Sequence, residues 1–125
     1  MRGAKLANIL LVEDEAAIQR LITTSLELDG HDIRVASSGA EAIEQLKPYP
    51  HLIILDIRLP DMDGPTFLAE ALSCGYDGKV LIVSAWTGGK EYADLIGVDG
   101  YLQKPFDPDE LSSTVSGLLR APVYR

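Results

Sequence analysis

HLIILDIRLPDMDG, residues 51–64, divides into halves of opposite character. Leu52 to Leu55 is an unbroken apolar run, which suits a strand covered on both faces in a parallel sheet better than a strand with one wet face. Asp56 follows directly. An ionised carboxylate at the end of a buried strand must be paired, hydrogen-bonded or metal-bound, because the cost of desolvating it alone is prohibitive. Pro60 and Gly64 then mark a loop. In an open α/β sheet such loops lie at the carboxyl ends of the strands, where ligands bind. Asp56 is therefore the leading candidate for a chemical centre.

The same grammar recurs on either side. NILLV, residues 8–12, is a second short apolar run, and it ends in Glu13, Asp14 and Glu15. KVLIV, residues 79–83, is a third and ends at Ser84. Asp32 to Ala36 is a weaker strand candidate with Ile33 and Val35 on one side, and Tyr101 and Leu102 mark a last one, followed by Lys104, Pro105 and Phe106. Between the strands the period changes to that of a helix. Ala16 to Leu28 has apolar residues near helical spacing and stops at Gly30. After the Ser37-Ser38-Gly39 turn, Ala40 to Leu46 is a short helix that ends before Pro48. Pro65 sits where a first helical turn tolerates proline, and Thr66 to Ser73 continues it. Lys90 to Ile96 is only about two turns long, between Gly88-Gly89 and Gly97. Asp107 at N-cap, Pro108 at N1 and Glu110 at N3 open the final helix, with Leu111, Val115, Leu118 and Leu119 facing inward. Strands alternating with helices predict an α/β domain of three layers, doubly wound around a five-stranded parallel sheet with right-handed crossovers.

Composition narrows the function. A chain of 125 residues predicts one domain, residues 1–125, with a core over 8–119 and a loose leader at Met1 to Ala7. A net charge of -8 opposes direct binding to nucleic-acid phosphates. The sequence has neither an apolar run long enough to span a membrane nor a secretion signal, so the cytoplasm is the expected location. The single cysteine, Cys74, reads as packing. His31 and His51 stand beside strand starts, on the edge away from the acids.

Parallel strands place all their carboxyl ends on one edge of the sheet. Glu13, Asp14, Asp56, Ser84 and Lys104 are thereby expected to converge. At an effective dielectric near 20, each like-charge pair ~4 Å apart costs on the order of 4 kcal/mol, so three carboxylates call for a cation. Oxygen ligands without His or Cys suit Mg²⁺ or Mn²⁺ rather than zinc, and such sites usually serve a phosphate.

Four segments in order, ILLVEDE, LIILDIRLPDMDG, LIVSA and DGYLQKPF, make the chain resemble a response-regulator receiver domain from Ile9 to about Leu119. The resemblance implies the flavodoxin-like strand order 2-1-3-4-5 known for that family. It implies that Asp56 accepts a phosphoryl group from the phosphohistidine of a sensor histidine kinase or a phosphotransfer protein. A carboxylate, with a reference pKa near 4, needs no general base for that step. By the same resemblance Asp14, Asp56 and the main-chain carbonyl of Arg58 bind Mg²⁺ directly, and Glu13 binds it through a water. Lys104 and the Ser84 hydroxyl take the phosphoryl oxygens. Ser84 and Tyr101 are the switch pair that alters a face on helix 4, strand 5 and helix 5 for a downstream protein.

Three departures from the family pattern qualify this reading. Glu13 stands where Asp is commoner. Arg58 and Trp86 lie two positions beyond Asp56 and Ser84, where side chains border the path of attacking water. A guanidinium stacked near the indole is expected to slow loss of the phosphoryl group. The span from Ser84 to Lys104 is shorter than the family commonly shows, and the shortening falls on Gly88-Gly89, so helix 4 is expected to be short or mobile. The main expectation is a stand-alone phosphoacceptor switch. The alternatives are a metal-dependent aspartyl phosphohydrolase, for which Ile57 and Arg58 offer no second acid, and a vestigial receiver acting unphosphorylated. A dinucleotide-binding domain is poorer, since no G-x-G-x-x-G follows the first strand. The kinase, the downstream output, a phosphorylation-dependent dimer and membership of a longer regulator stay open at this stage.

Overall fold

In a computed structural model that describes residues 7–121, five strands alternate with five helices. The strands are β1 (Asn8–Val12), β2 (Asp32–Ala36), β3 (Leu52–Asp56), β4 (Lys79–Ser84) and β5 (Gly100–Gln103). The helices are α1 (Ala16–Leu28), α2 (Gly39–Glu44), α3 (Gly64–Ser73), α4 (Gly89–Ile96) and α5 (Pro108–Arg120). All pairings are parallel, in the order β2-β1-β3-β4-β5. This is the flavodoxin-like arrangement expected from the sequence.

Strand alternation sorts the core into two layers. Leu10, Val12, Ile53, Leu55, Val80 and Ile82 face Ala42 of α2, Phe67 and Ala71 of α3 and Ala93 of α4. Their neighbours Ile9, Leu11, Leu52, Ile54, Leu81 and Val83 face Ile22 and Leu26 of α1 and Leu111 and Val115 of α5. Burial on both faces is why β1, β3 and β4 read as continuous apolar runs, while the edge strand β2 is largely half-buried.

The helix ends differ from the sequence expectation for tertiary reasons. α2 begins at Gly39, where Asp61 on the β3–α3 loop accepts the Gly39 and Ala40 N–H groups, and closes at Glu44. α5 has the expected capping box between Asp107 and Glu110. Its other end is held by Lys79, which is buried and donates to the Leu118 carbonyl at 2.6 Å and to that of Ala121. A cation there complements the negative end of the helix dipole. Most of the expected leader lies outside the described residues. Ala7, however, is buried and donates its N–H to His31 Nδ1 at 3.2 Å. His51 Nδ1 accepts from Asn8 N–H at 3.0 Å. Both histidines thus tie down the start of β1, at the edge opposite the acids, as expected.

Candidate functional site

The strand register brings the polar ends together. Val12 pairs with Leu55, so Glu13 and Asp56 are the next residues on adjacent strands. Asp56 is opposite Val83, one short of Ser84, and Ser84 is opposite Gln103, one short of Lys104. The register places Glu13, Asp56, Ser84 and Lys104 at one rim, with Asp14 next in the chain after Glu13.

Three of these residues are acids with oxygen atoms within 4.8 Å of one another: Glu13, Asp14 and Asp56. Lys104 enters between them. Its Nζ lies 2.9 Å from Glu13 Oε1, 3.4 Å from Asp56 Oδ2 and 3.9 Å from the exposed Glu15 carboxylate. Glu13 is almost fully buried, and that burial pushes its carboxyl above the usual range despite hydrogen bonds from Lys104 and the Glu15 N–H. Lys104 shifts upward too. Burial alone would lower it, but the Glu13 hydrogen bond and the nearby Asp56 and Glu13 charges outweigh that effect. One ammonium thus serves several carboxylates, and each carboxylate has only a share of it.

The loop after Asp56 is closed by main-chain hydrogen bonds. Gly64 N–H donates to the Ile57 carbonyl at 2.7 Å, and Leu59 N–H to that of Met62 at 3.2 Å, closing the turn at the Arg58–Asp63 bridge. Those bonds leave the Arg58 carbonyl out. The Arg58 N–H points back to Asp56 Oδ1 at 3.2 Å. Both Glu13 oxygens are engaged, one by Lys104 and one by Glu15 N–H. Both Asp56 oxygens are engaged as well, Oδ1 by the Arg58 N–H and Oδ2 by Lys104, so a cation at the Glu13, Asp14 and Asp56 cluster would share these carboxylates with the present donors. An all-oxygen set with surplus negative charge fits Mg²⁺ or Mn²⁺.

Ser84 is buried, and its Oγ accepts the Trp86 N–H at 3.1 Å. Tyr101 is tied to the same loop, since its hydroxyl donates to the Ser84 carbonyl at 3.3 Å and the Trp86 carbonyl at 3.0 Å. The phenol lies so close to α4 that a Cβ at Gly89 would sit 2.5 Å from its ring. Gly88 receives the Trp86 indole in the same way, 2.7 Å from an added Cβ. The two glycines that shorten this segment are thus where two aromatic rings approach the backbone.

A match along residues 9–116 to the response regulator receiver domain covers most of the chain. The chain belongs to the response-regulator receiver family. It is 39% identical over 124 residues to the transcriptional regulatory protein CssR of Bacillus subtilis (strain 168), covering 94% of this chain and 52% of that protein. The transcriptional regulatory protein TrcR of Mycobacterium tuberculosis is 36% identical over 115 residues, which cover 90% of this chain and 45% of TrcR. This receiver thus spans about half the length of the curated relatives it matches. Among solved structures, a CheY-like receiver domain protein from Methanospirillum hungatei JF-1 superposes with a TM-score of 0.81 at 27% identity, over 92% of this chain and 94% of that one. The chemotaxis response regulator CheY4 of Vibrio cholerae gives 0.82 at 27%, over 91% and 99%.

One expected contact of the receiver site is corrected. Among the described residues the Trp86 indole does not stack with Arg58; it meets the Tyr92 ring edge-on, with centroids 5.6 Å apart. The guanidinium is exposed, whereas Tyr92 lies on α4, whose N-cap Gly88 the indole approaches. Sequence reading also missed Asp61 and Gln19. Gln19 donates its amide to the Glu13 carbonyl at 2.5 Å and to Ser37 Oγ at 3.0 Å. Asp61 reaches Gly39 across 22 positions and Gln19 reaches Ser37 across 18, so no local pattern marks these contacts. Among the described residues no helix is long and apolar enough to cross a membrane.

Proposed function

We propose that this receiver is the phosphoacceptor of a two-component relay and that Asp56 carries the phosphoryl group. The observation that supports this most directly is Lys104 Nζ at 2.9 Å from Glu13 and 3.4 Å from Asp56, on a rim of three clustered acids. An Asp56 carboxylate oxygen forms the new P–O bond as the P–N bond to a donor phosphohistidine breaks, and the imidazole nitrogen keeps the electron pair. Lys104 and the Ser84 hydroxyl meet the charge on the transferring oxygens, which is most of what a protein supplies in phosphoryl transfer. Asp14, Asp56 and the Arg58 carbonyl would hold Mg²⁺ or Mn²⁺, with Glu13 acting through a water. When bound, the ion neutralises charge on the phosphoryl group.

The donor is a sensor histidine kinase or a histidine phosphotransfer protein, in the cytoplasm. Phosphorylation draws Ser84 toward the new group, and Tyr101 turns inward to fill the space left behind. The face formed by α4, β5 and α5 then changes for a downstream protein. Arg58 and Trp86 border the path of the water that removes the phosphoryl group. Residues 1–125 act as one receiver unit with its core over 8–119, and turnover is limited to its own phosphorylation and dephosphorylation. Incubation with acetyl phosphate and Mg²⁺, followed by intact-mass measurement, tests the reading. Wild type is expected to gain one phosphoryl unit and Asp56→Asn none. Equal labelling of both would remove Asp56 from its role.

A further inference from the structure

The tip of the β3–α3 loop is docked onto the start of α2 by two unlike contacts. Asp61 accepts the Gly39 N–H at 2.8 Å with one carboxylate oxygen and the Ala40 N–H at 2.9 Å with the other. Beside it the Met62 side chain packs on Gly39, where a Cβ would sit 2.5 Å from its sulfur. These two hydrogen bonds hold the Asp61 carboxyl below the usual carboxylate range. α2 has its own N-cap in Ser38, so the helix alone does not account for an acid reaching 22 positions across the rim.

What the clamp does account for is the loop. Its base is closed by the Ile57–Gly64 and Leu59–Met62 hydrogen bonds, and the Arg58 carbonyl sits on the arm between Asp56 and the docked tip. With base and tip both fixed, that arm has little freedom. The receiving turn is tied to the acids from the other side. Gln19 bridges the Glu13 carbonyl and Ser37 Oγ, and Glu13 N–H donates to the Ala36 carbonyl at 3.0 Å. A circuit of hydrogen bonds thus runs from Glu13 through the β2–α2 turn to Asp61 and back along the loop to Asp56.

We propose that Asp61 is a positioning residue for the divalent cation: by clamping the loop tip to α2 it holds the Arg58 carbonyl in place beside Asp56. This rests on the proposed function. Outer partners of metal ligands commonly change affinity by about 10–100-fold when removed. Titration of the full chain with Mn²⁺, reading the free ion by electron paramagnetic resonance, tests it. Asp61→Ala is expected to bind Mn²⁺ about 10-fold more weakly than wild type, and Asp61→Asn, which keeps one acceptor oxygen, to fall between. Gly39→Ala, which displaces the tip through Met62 and leaves Asp61 intact, is expected to weaken binding as well. Labelling of Asp61→Ala by acetyl phosphate should be slow at low Mg²⁺ and recover at saturating Mg²⁺. A merely structural role would lower the unfolding midpoint and leave ion affinity unchanged. If Asp61→Ala does not fold, Asp61→Asn and Gly39→Ala decide the matter. Wild-type affinity in the folded variants overturns the proposal while leaving the phosphoacceptor reading intact; a wild type that binds no Mn²⁺ overturns both.

Discussion

Glu13 shows how the site trades one cost against another. Its carboxyl is raised by burial, and Lys104 offsets only part of that. An acid whose folded pKa lies above its unfolded value binds protons more readily when folded, so its contribution is greatest below the unfolded value and is lost as pH rises through the folded one. Without metal, wild type is therefore expected to lose stability relative to Glu13→Gln as pH rises from 4.5 through the folded pKa of Glu13. Urea unfolding across that range in chelator checks this, and a pH-independent difference would count against the burial argument. Asp14 offers the complementary case, since it is exposed and within 4.8 Å of two like charges. In chelator, Asp14→Asn is expected to be more stable than wild type, by about 1 kcal/mol for each like-charge neighbour at the bulk-water screening that suits an exposed group. Saturating Mg²⁺ should reverse the order, because only the wild type binds the ion well. Thermal melts with and without Mg²⁺ read both signs.

At the scale of elements, α4 and α5 are opposites. α5 carries a capping box, two acids in its first turn and Arg120 in its last. α4 has Gly88 at its N-cap with no side-chain hydrogen bond, and the Lys90–Asp94 pair is exposed. Exposed i,i+4 pairs contribute only about 0.3–0.5 kcal/mol. Amide exchange is expected to be faster across α4 than across α5, and uniform strong protection over residues 88–97 would contradict this. Gly89→Ala separates propensity from packing. Alanine favours helix by up to about 1 kcal/mol. The added Cβ, however, would meet the Tyr101 ring at 2.5 Å. A net loss of about 1–2 kcal/mol is expected from overpacking, with altered near-ultraviolet tyrosine signals as Tyr101 leaves its carbonyl partners. The brevity of α4 was legible from the spacing of Gly88, Gly89 and Gly97. The reason was not, because the rings that occupy those gaps come from Trp86 and from β5.

Across the whole molecule, what could be read in the sequence is what strand ends make local. Apolar runs that stop at Glu13, Asp56 and Ser84 mark the parallel strands, and parallel strands share an edge, so the meeting of Glu13 with Lys104 across 91 positions followed from topology alone. Contacts that depend on how loops fold over that edge had no such signature. The Asp61 clamp, the Lys79 cap on α5 and the Trp86–Tyr92 pair join residues whose spacing matches no period. The expected Arg58–Trp86 stack failed for the same reason, since two loops that border one site need not touch each other. The resulting edge gathers three carboxylates within 4.8 Å of one another and puts Lys104 in contact with two of them.

The most direct measurement is the position of the label. After phosphorylation with Mg²⁺, reduction of the acyl phosphate with borohydride and peptide mapping by mass spectrometry should place a homoserine at position 56 and leave Glu13 and Asp14 unmodified. Homoserine at another acid, or none anywhere in a protein that binds Mg²⁺, would contradict the assignment of Asp56.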